Sequence, residues 1–310
     1  MTQPTTPQKP ASPWTDRLEL GEGARWIDDR LVLVDLLRGR LLAPNPTDPA
    51  MEVLAELGTP LGAVAPIHAN PNALIAAAGT GVCILTGIGT DELDVAWIAR
   101  TTTGPTENGS DTFETAAMRV NDCTADSAGR FWFGTMAYDA AEDAGSLYRV
   151  DRDGTLTRVL DRISIPNGPA FTEDGTTMYL ADSARRLVQR YSVDVGTGAL
   201  GEPEVFADFA DCGGGPDGMT VDLEGGVWIA CWGAGAVHRY LPDGTLDRMV
   251  ELPAAQPASV CLGGSDGRLL HITTAHYGIE CPGEADGAVF TLRVDVPGFP
   301  AASFRNKVER

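Results

Sequence analysis

Side chains able to bind a metal ion recur at a fixed distance before a series of turn glycines. Asn121, Asn167 and Asp217 each lie eight residues before a glycine that leads into an alternating apolar segment. In the first such segment the same position is Gly21, with Glu22 beside it. Carboxylate and amide oxygens are hard donors that suit Ca²⁺, Mg²⁺ or Mn²⁺, and zinc and Fe²⁺ also accept them. The shared phase therefore indicates one site assembled from distant parts of the chain.

Each short motif also has a purely structural interpretation. The Asn-Gly pair at Asn167 is a common turn signal, because both residues accept positive φ. The Pro-Asp-Gly motif at Asp217 recurs at Asp243, where the turn spacing predicts a turn and nothing more. Glu22 lies in a glycine-rich stretch that would serve as a flexible connection. Turn formation does not require a common phase, so we favour a joint site over unrelated turns.

The glycines that set this phase belong to a longer repeat. One series of turns before apolar strands has glycines at Gly129, Gly175, Gly225 and Gly267. A second series has glycines at Gly154 and Gly244, with Gly198 midway between them. Two interleaved turn series with a period of about 40 to 50 residues predict four-stranded units with two kinds of hairpin. Such a unit is a β-propeller blade.

Weaker members of the first series, near Asp29 and Asn72, bring the count to six. The prediction is an all-β protein with a single six-bladed β-propeller of four-stranded blades over 18–304. Residues 1–17 are expected to form a disordered tail and 305–310 a short C-terminal tail. The polar insert TTTGPTENGSDTFETAA, after the second repeat, is expected to form a loop over one face.

The start of each innermost propeller strand lies beside the central axis, so residues in the same phase meet at one mouth of the channel. This geometry predicts that Glu22, Asn121, Asn167 and Asp217 converge there. In the last blade the equivalent residue is Ser259.

The 310-residue chain carries a formal net charge of -20, with a pI near 4.4. A surface this acidic repels phosphate backbones and anionic lipids, which argues against nucleic acid or a membrane as partner. No apolar run approaches the roughly 20 residues of a membrane span. The N-terminus lacks the apolar region of a signal peptide, so we expect a cytoplasmic protein. The sequence leaves the oligomeric state open.

Cysteine and histidine contribute little to the predicted chemistry. The six cysteines are scattered singly and are expected to be free and mostly buried in a reducing compartment. The four histidines form no HExxH motif, which argues against a His-rich zinc site, and none is assigned a role. Cys231 and Trp232 are expected to pack within a strand. No Ser-His-Asp or Cys-His arrangement is visible, so a covalent mechanism is disfavoured.

The segments around these residues resemble the senescence marker protein (regucalcin)/gluconolactonase family, six-bladed propellers that are metal-dependent sugar lactonases. The resemblance runs from about residue 18 to 304 and covers all but the tails. Its segments are LGEGARW, RVNDCTADSAGRFWFGTM, IPNGPAFTEDGTTMYLADS, PDGMTVDLEGGVWIACWGAGAVHRY and GAVFTLRVDVPGFPAASF.

The resemblance implies that Glu22, Asn167 and Asp217 bind one divalent metal ion, whose identity (Ca, Zn, Mn, Mg or Fe) stays open. A cation held there would polarise the carbonyl of a lactone and stabilise the negative charge that develops on its oxygen. Asp217 is the candidate general base that takes a proton from the attacking water. The expected function is hydrolysis of a sugar-derived lactone to its hydroxy acid.

The resemblance further implies that Arg119 and Asn121 line the substrate pocket, with Asp122 and Tyr138 beside them. Arg119 and Asn121 would donate hydrogen bonds to the hydroxyl and ring oxygens of a polyol lactone. The chain departs from the family at Arg25, where a small apolar residue is common, and after the GTMA motif, where acidic residues are common and this chain has Tyr138 and Asp139. These departures predict a pocket wall suited to a different sugar or to another substrate.

Three other functions are compatible with the same fold. A regulatory or ligand-binding propeller could hold Ca²⁺ on the same three ligands without turnover. A related propeller hydrolase could act on aryl esters or organophosphates, and a strictosidine-synthase-like enzyme would not need the Glu/Asn/Asp set. Metal-dependent ring opening separates the first alternative from a lactonase, and a chelator test separates the synthase.

Overall fold

The structure, a computed structural model, describes residues 9–101 and 117–306, and all 23 elements named within them are β-strands. The short apolar runs between glycine-containing turns explain this, since such runs favour strands over helices. The insert predicted to form a loop over one face lies almost entirely outside the described residues. In the described ranges there is no apolar helix of membrane-spanning length.

The strands form six sheets, each of which is one blade. Blade 1 contains β1 (Gly21–Ile27), β2 (Arg30–Asp35), β3 (Arg40–Pro44) and β4 (Met51–Glu56). Blade 2 contains β5 (Leu61–Ile67), β6 (Asn70–Ala78), β7 (Gly81–Thr86) and β8 (Asp94–Arg100). Blade 3 contains β9 (Met118–Ala125), β10 (Phe131–Ala137), β11 (Gly145–Val150) and β12 (Leu156–Ile163).

The remaining blades follow in chain order. Blade 4 contains β13 (Pro166–Phe171), β14 (Thr177–Asp182), β15 (Leu187–Ser192) and β16 (Glu204–Asp208). Blade 5 contains β17 (Gly215–Val221), β18 (Val227–Trp232), β19 (Ala236–Tyr240) and β20 (Leu246–Glu251). Blade 6 contains β21 (Gln256–Gly263), β22 (Leu269–Ala275) and β23 (Val289–Arg293).

The first strand of each blade lies against the first strands of both neighbouring blades. The strands β1, β5, β9, β13, β17 and β21 therefore form a closed ring around an axis. This ring confirms the predicted six-bladed propeller. The two predicted turn series are also present, because Gly129 joins the first two strands of blade 3 and Gly154 joins its last two.

The two ends of the described chain are both attached to blades. The Ala11 N–H donates to the Thr291 carbonyl at 3.0 Å, and the Thr291 N–H donates back at 2.8 Å. Ala11 thus occupies the outer edge of blade 6, where the other blades have a fourth strand. The predicted disordered tail covered 1–17, of which residues 1–8 lie outside the described part. Near the C-terminus, the Phe304 N–H donates to the Pro66 carbonyl at 2.9 Å.

Apolar layers between the blades supply the core, and two buried tryptophans show how its polar atoms are satisfied. Trp132 donates its ring N–H to Asp126 at 2.8 Å, and Trp228 donates to Asp222 at 2.9 Å. Both tryptophans are fully buried, so each indole N–H needs such a partner. The equivalent pairs in blades 3 and 5 reflect the repeat of the sequence.

All six inner strands share a departure from regular pairing. The register with the second strand of the blade shifts at one level near the axis, at 22–25, 61–63, 120–123, 167–170, 216–219 and 257–259. A bulge re-aims the side chains next to it. The common level of these bulges explains why residues in the same sequence phase meet around the axis.

Candidate metal and substrate site

The three predicted metal ligands lie on the inner strands of different blades. Glu22 is on β1, Asn167 on β13 and Asp217 on β17, each at the edge of its bulge. All three side chains are buried, with 3 to 5% of their surface exposed. Burial of two carboxylates without an obvious function would be costly, since charged groups are expensive to remove from water.

Aspartates from the neighbouring strands hold the backbone that leads into two of these ligands. Asp35, at the end of β2, accepts the Leu20 N–H at 3.1 Å. Asp182, at the end of β14, accepts the Ile165 N–H at 3.2 Å. In both blades the amide that is held lies two residues before the ligand, so these carboxylates fix the ligand-bearing ends of β1 and β13.

The carboxylates near the axis repel one another. Burial, followed by the charges of Asp217 and Asp122, raises the pKa of Glu22 well above its ordinary value. Burial and then the charge of Asp122 likewise raise the pKa of Asp217. The guanidinium of Arg119 opposes both shifts. The three acidic groups therefore form one electrostatic cluster, in which a further positive charge would be stabilising.

The donor set of this cluster fits a divalent cation. Among the described residues, Oε2 of Glu22 is a buried oxygen without a hydrogen-bond partner. The carboxylates of Glu22, Asp122 and Asp217 outnumber the nearby guanidinium groups of Arg25 and Arg119. An unpartnered carboxylate oxygen in a net negative, oxygen-lined site is the arrangement that a hard cation satisfies.

A chain of side-chain hydrogen bonds connects blades 3, 4 and 5 across the site. Arg119 donates to Asn121 Oδ1 at 2.7 Å, and Asn121 Nδ2 donates to Asn167 Oδ1 at 2.9 Å. Asn167 Nδ2 donates to Ser183 Oγ at 2.8 Å, and Ser183 donates to the Pro216 carbonyl at 2.6 Å. A carbonyl oxygen has two lone pairs, so Asn167 Oδ1 keeps one for a cation. The chain thus orients Asn167 and connects it to the residue before Asp217.

Asp122 is surrounded by backbone N–H groups and an arginine. Its carboxylate accepts the Cys123 N–H at 2.7 Å and the Gly168 N–H at 3.0 Å, and it pairs with Arg25 at 3.2 Å. Asp122 does not line the cleft that contains Arg119. Because consecutive strand residues point in different directions, Asp122 faces Arg25 whereas Asn121 faces the cleft. A contact between Asp122 and the substrate stays a prediction.

Arg25 is also removed from the expected pocket wall. It lines a separate cavity of about 300 Å³ and forms an ion pair with Asp122. The guanidinium donates to the backbone carbonyls of Ala24 and Cys123. Its role in the structure is to neutralise a buried carboxylate beneath the ligand set, so this departure from the family does not alter the lining of the cleft.

A cleft of about 630 Å³ opens onto the ligand set. Asn167, Asp217, Arg119 and Asn121 supply polar groups to its lining, whereas Glu22 is not part of that lining. Tyr138 also lines the cleft and is half-exposed, as expected for a residue at its mouth. Burial lowers the pKa of Arg119 and the charge of Glu22 opposes this effect.

Four further cleft residues were not assigned by sequence. Leu20, Ser183, Trp232 and Tyr277 all line it. Trp232 packs at the end of its strand as expected, and it also lines the cleft. Leu20 lies just before β1, and the other three lie at or just after the end of the second strand of a blade. No turn glycine stands at a fixed distance from these positions. Their spacing therefore carried no signal.

Comparison with curated proteins gives relatives that match nearly the whole chain. The pentonolactonase of Haloferax volcanii is 36% identical over 299 residues, covering 93% of this chain and 95% of the relative. The 6-deoxy-6-sulfogluconolactonase of Pseudomonas putida is 32% identical over 286 residues, covering 90% and 92%.

Comparison with solved structures agrees. The calcium-binding protein regucalcin of Agrobacterium tumefaciens superposes with a TM-score of 0.83 at 28% identity, covering 96% of this chain and 98% of that one. A luciferin-regenerating enzyme superposes with the same TM-score at 24% identity, which supports the fold alone. The model of the SMP-30/gluconolactonase/LRE-like region matches residues 20–276, from just before Glu22 to beyond blade 5. The chain belongs to the SMP-30/gluconolactonase/LRE-like family.

Proposed function

We propose that this protein is a metal-dependent lactonase that opens a sugar-derived lactone to its hydroxy acid. The observation that carries the proposal is the burial of Glu22, Asn167 and Asp217 at the bulges of three inner strands. Asn167 and Asp217 line one cleft, and Oε2 of Glu22 has no hydrogen-bond partner. Relatives of matching length named for pentonolactone and sulfogluconolactone hydrolysis support the substrate class.

The reaction consumes one water molecule and needs no covalent intermediate. The water oxygen bonds to the lactone carbonyl carbon, the ring C–O bond breaks, and the released ring oxygen takes a proton. When bound to Glu22, Asn167 and Asp217, a divalent cation supplies Lewis-acid polarisation of the carbonyl. The hard oxygen set suits Ca²⁺, Mg²⁺ or Mn²⁺, and it also accepts zinc or Fe²⁺.

Asp217 is the residue proposed to move the proton. Its Oδ1 is held by the Gly218 N–H at 3.0 Å, which fixes the orientation of the carboxylate. The proton from the attacking water then goes to Oδ2 and returns to the ring oxygen that leaves. Burial and the charge of Asp122 raise the pKa of Asp217, whereas a bound cation would lower this pKa and leave Asp217 a weak base, which is sufficient for an activated ester such as a lactone.

Arg119 and Tyr138 are proposed to bind the substrate. One terminal nitrogen of Arg119 is engaged by Asn121 Oδ1 and the Val120 carbonyl, so the remaining N–H groups can donate to substrate hydroxyls. The Asn121 amide nitrogen is already shared between Asn167 and the Pro166 carbonyl. Asn121 therefore acts mainly by orienting Asn167 and Arg119, and Tyr138 contacts the outer part of the sugar.

The test uses protein stripped with a chelator and then given each divalent ion in turn. Xylono-, arabinono-, galactono- and gluconolactone are supplied in weak buffer with an indicator that records acid release. We expect no turnover until a cation is added, and none at any cation concentration in Asp217→Asn or Glu22→Gln. Asp243→Asn is the matched control, because Asp243 lies in the same Pro-Asp-Gly motif at an exposed turn.

Two outcomes would contradict the proposed metal-dependent lactonase activity. Full turnover of the stripped enzyme would exclude the metal requirement. Tight cation binding without turnover of any lactone would favour the second candidate, a calcium-binding propeller, which the regucalcin neighbour supports through its description as a calcium-binding protein.

A further inference from the structure

Blade 5 differs from blades 1 and 4 in how its ligand-bearing strand is held. In blades 1 and 4 the residue before the ligand pairs with an aspartate, as Gly21 does with Asp35. In blade 5 the residue before Asp217 is Pro216, and it pairs with Cys231. The position of the backbone-holding carboxylate is thus occupied by a thiol.

That thiol belongs to a group of three potential metal ligands. The side-chain ligand atoms of Cys212, Cys231 and His238 all lie within 4.8 Å of one another. Cys212 Sγ is 4.0 Å from His238 Nε2. Cys231 and His238 are buried on one face of neighbouring strands, and Cys212 is half-buried in the segment that leads into β17. We name these three residues the thiol cluster.

We propose that the thiol cluster is a second metal site, which binds a thiophilic ion such as Zn²⁺ and fixes the lead-in of β17. Bond lengths of about 2.3 Å to sulfur and 2.0 Å to nitrogen place the donor atoms of a tetrahedral zinc site roughly 3.5 to 3.8 Å apart. The observed separations are within a small side-chain adjustment of those values. The proposal goes beyond the lactonase reaction and does not depend on it.

The imidazole already has the orientation that a ligand needs. His238 Nδ1 lies 3.3 Å from the Tyr240 hydroxyl, and the ring stacks on Phe209 at 5.8 Å between centroids. A hydrogen bond at one ring nitrogen leaves the other, Nε2, free to bind a metal, and such outer contacts are usual for metal-binding histidines.

The charge balance favours a doubly charged ion. Binding displaces one proton from each thiol, so two thiolates neutralise Zn²⁺ and the histidine adds no charge. A neutral complex is the form that this buried, mainly apolar position tolerates best. Cys212 is only half-buried, so water could reach a fourth coordination position on the ion.

A metal at the thiol cluster would also act on the cleft. Gly213 and Gly214 follow Cys212, Trp232 follows Cys231, and all three line the cleft beside Asp217. A bond from both cysteines to one ion would hold these two sides of the cleft at a fixed separation. In blades 1 and 4, Asp35 and Asp182 restrain the corresponding backbone through hydrogen bonds.

Cobalt provides a direct test, because Co²⁺ bound to thiolate gives a charge-transfer absorption that an oxygen-ligated ion lacks. Full-length protein is stripped with a chelator under reducing conditions and titrated with Co²⁺. We expect this absorption to reach the intensity of one cobalt–thiolate site per protein chain. Added Zn²⁺ should displace the cobalt and abolish the absorption. Cys212→Ser and Cys231→Ser should lose it, whereas Cys281→Ser, which changes an exposed cysteine elsewhere, should retain it.

Further variants separate this site from the lactonase site. Glu22→Gln should lose lactone hydrolysis and keep the cobalt absorption. The cobalt result tests the thiol cluster even if the protein does not hydrolyse lactones. If Cys231→Ser fails to fold, the absorption of Cys212→Ser decides the test, because Cys212 is only half-buried. Cobalt binding without the absorption, retention of the absorption in Cys212→Ser, or fewer than six free thiols in unreduced, denatured protein would each overturn the proposal, the last by showing a disulfide.

Discussion

Asn121 Nδ2 lies 2.9 Å from Asn167 Oδ1, so a residue of blade 3 orients a proposed metal ligand of blade 4. Asn121→Ala removes this donor and also the acceptor of Arg119. Loss of such an outer contact typically lowers metal affinity about 10- to 100-fold. We expect a loss of this size in cation titrations, with activity restored at high cation concentration.

The exposed Asn72→Ala serves as control and should leave cation affinity unchanged. A variant Asn121→Ala with normal cation affinity and only a raised KM would contradict the orienting role. That result would show that Asn121 binds the substrate directly.

Arg119 offers a prediction about substrate recognition. Arg119→Ala should raise KM for polyhydroxylated lactones by about tenfold, the effect of losing roughly 1.4 kcal/mol of binding. For an unsubstituted aliphatic lactone we expect little change, because that substrate has no hydroxyls to bind. The measurement compares KM for both substrates at saturating cation. Equal effects on both substrates would show that Arg119 does not contact hydroxyls.

The ion pair between Arg25 and Asp122 predicts a large effect on stability. Asp122 is buried with 3% exposure, Arg25 is mostly buried with 12% exposure, and their closest atoms are 3.2 Å apart. Arg25→Ala leaves a buried carboxylate without its partner, which should lower the free energy of unfolding by about 3 to 5 kcal/mol. Urea unfolding at saturating cation measures this loss.

Asp122→Asn in the Arg25→Ala background should recover part of the lost stability, because it removes the unpaired charge. A loss below about 1 kcal/mol in the single variant, the value of an exposed pair, would contradict the buried ion pair.

His271 predicts how stability depends on pH. Burial between Trp26 and the sheet lowers the pKa of His271 from about 6.5 to about 4. As the pH falls through this window, the unfolded chain binds a proton at His271 that the folded protein does not. The free energy of unfolding should therefore decrease by about 3 kcal/mol between pH 6.5 and 4 on account of this group, and no further below it.

His271→Gln should flatten this part of the pH profile, whatever its effect on absolute stability. The exposed His68→Gln is the matched control and should keep the wild-type slope. Identical slopes in wild type and His271→Gln, measured by urea unfolding at several pH values, would refute the assignment.

Sequence periodicity predicts the propeller because every blade repeats the same turns. It also predicts Glu22, Asn167 and Asp217, since a bulge at a common level gives one residue of each inner strand the same direction. The spacing of these residues in the sequence shows neither whether a metal ion binds nor which metal it is. It nevertheless predicts which side chains meet. In the structure all three are buried, the charge of Asp217 acts on Glu22, and Asn167 and Asp217 line the same cleft.

The remaining site residues follow from features that periodicity does not encode. Asp122 was expected beside Arg119 and Asn121, and in the structure Asn121 faces the cleft and Asp122 pairs with Arg25. Tyr277 and Cys212 lie in connecting segments whose course depends on the packing of adjacent blades. His238 joins Cys231 through diagonal packing of β18 and β19, which the sequence separation of seven residues does not indicate.

The most direct test of the central claim is an anomalous difference map from crystals grown with Mn²⁺. Manganese prefers oxygen ligands, so the thiol cluster should not compete for it. We expect one strong peak within bonding distance of Glu22 Oε2, Asn167 Oδ1 and the Asp217 carboxylate. A map without a peak there, in crystals of protein that hydrolyses lactones, would contradict the account.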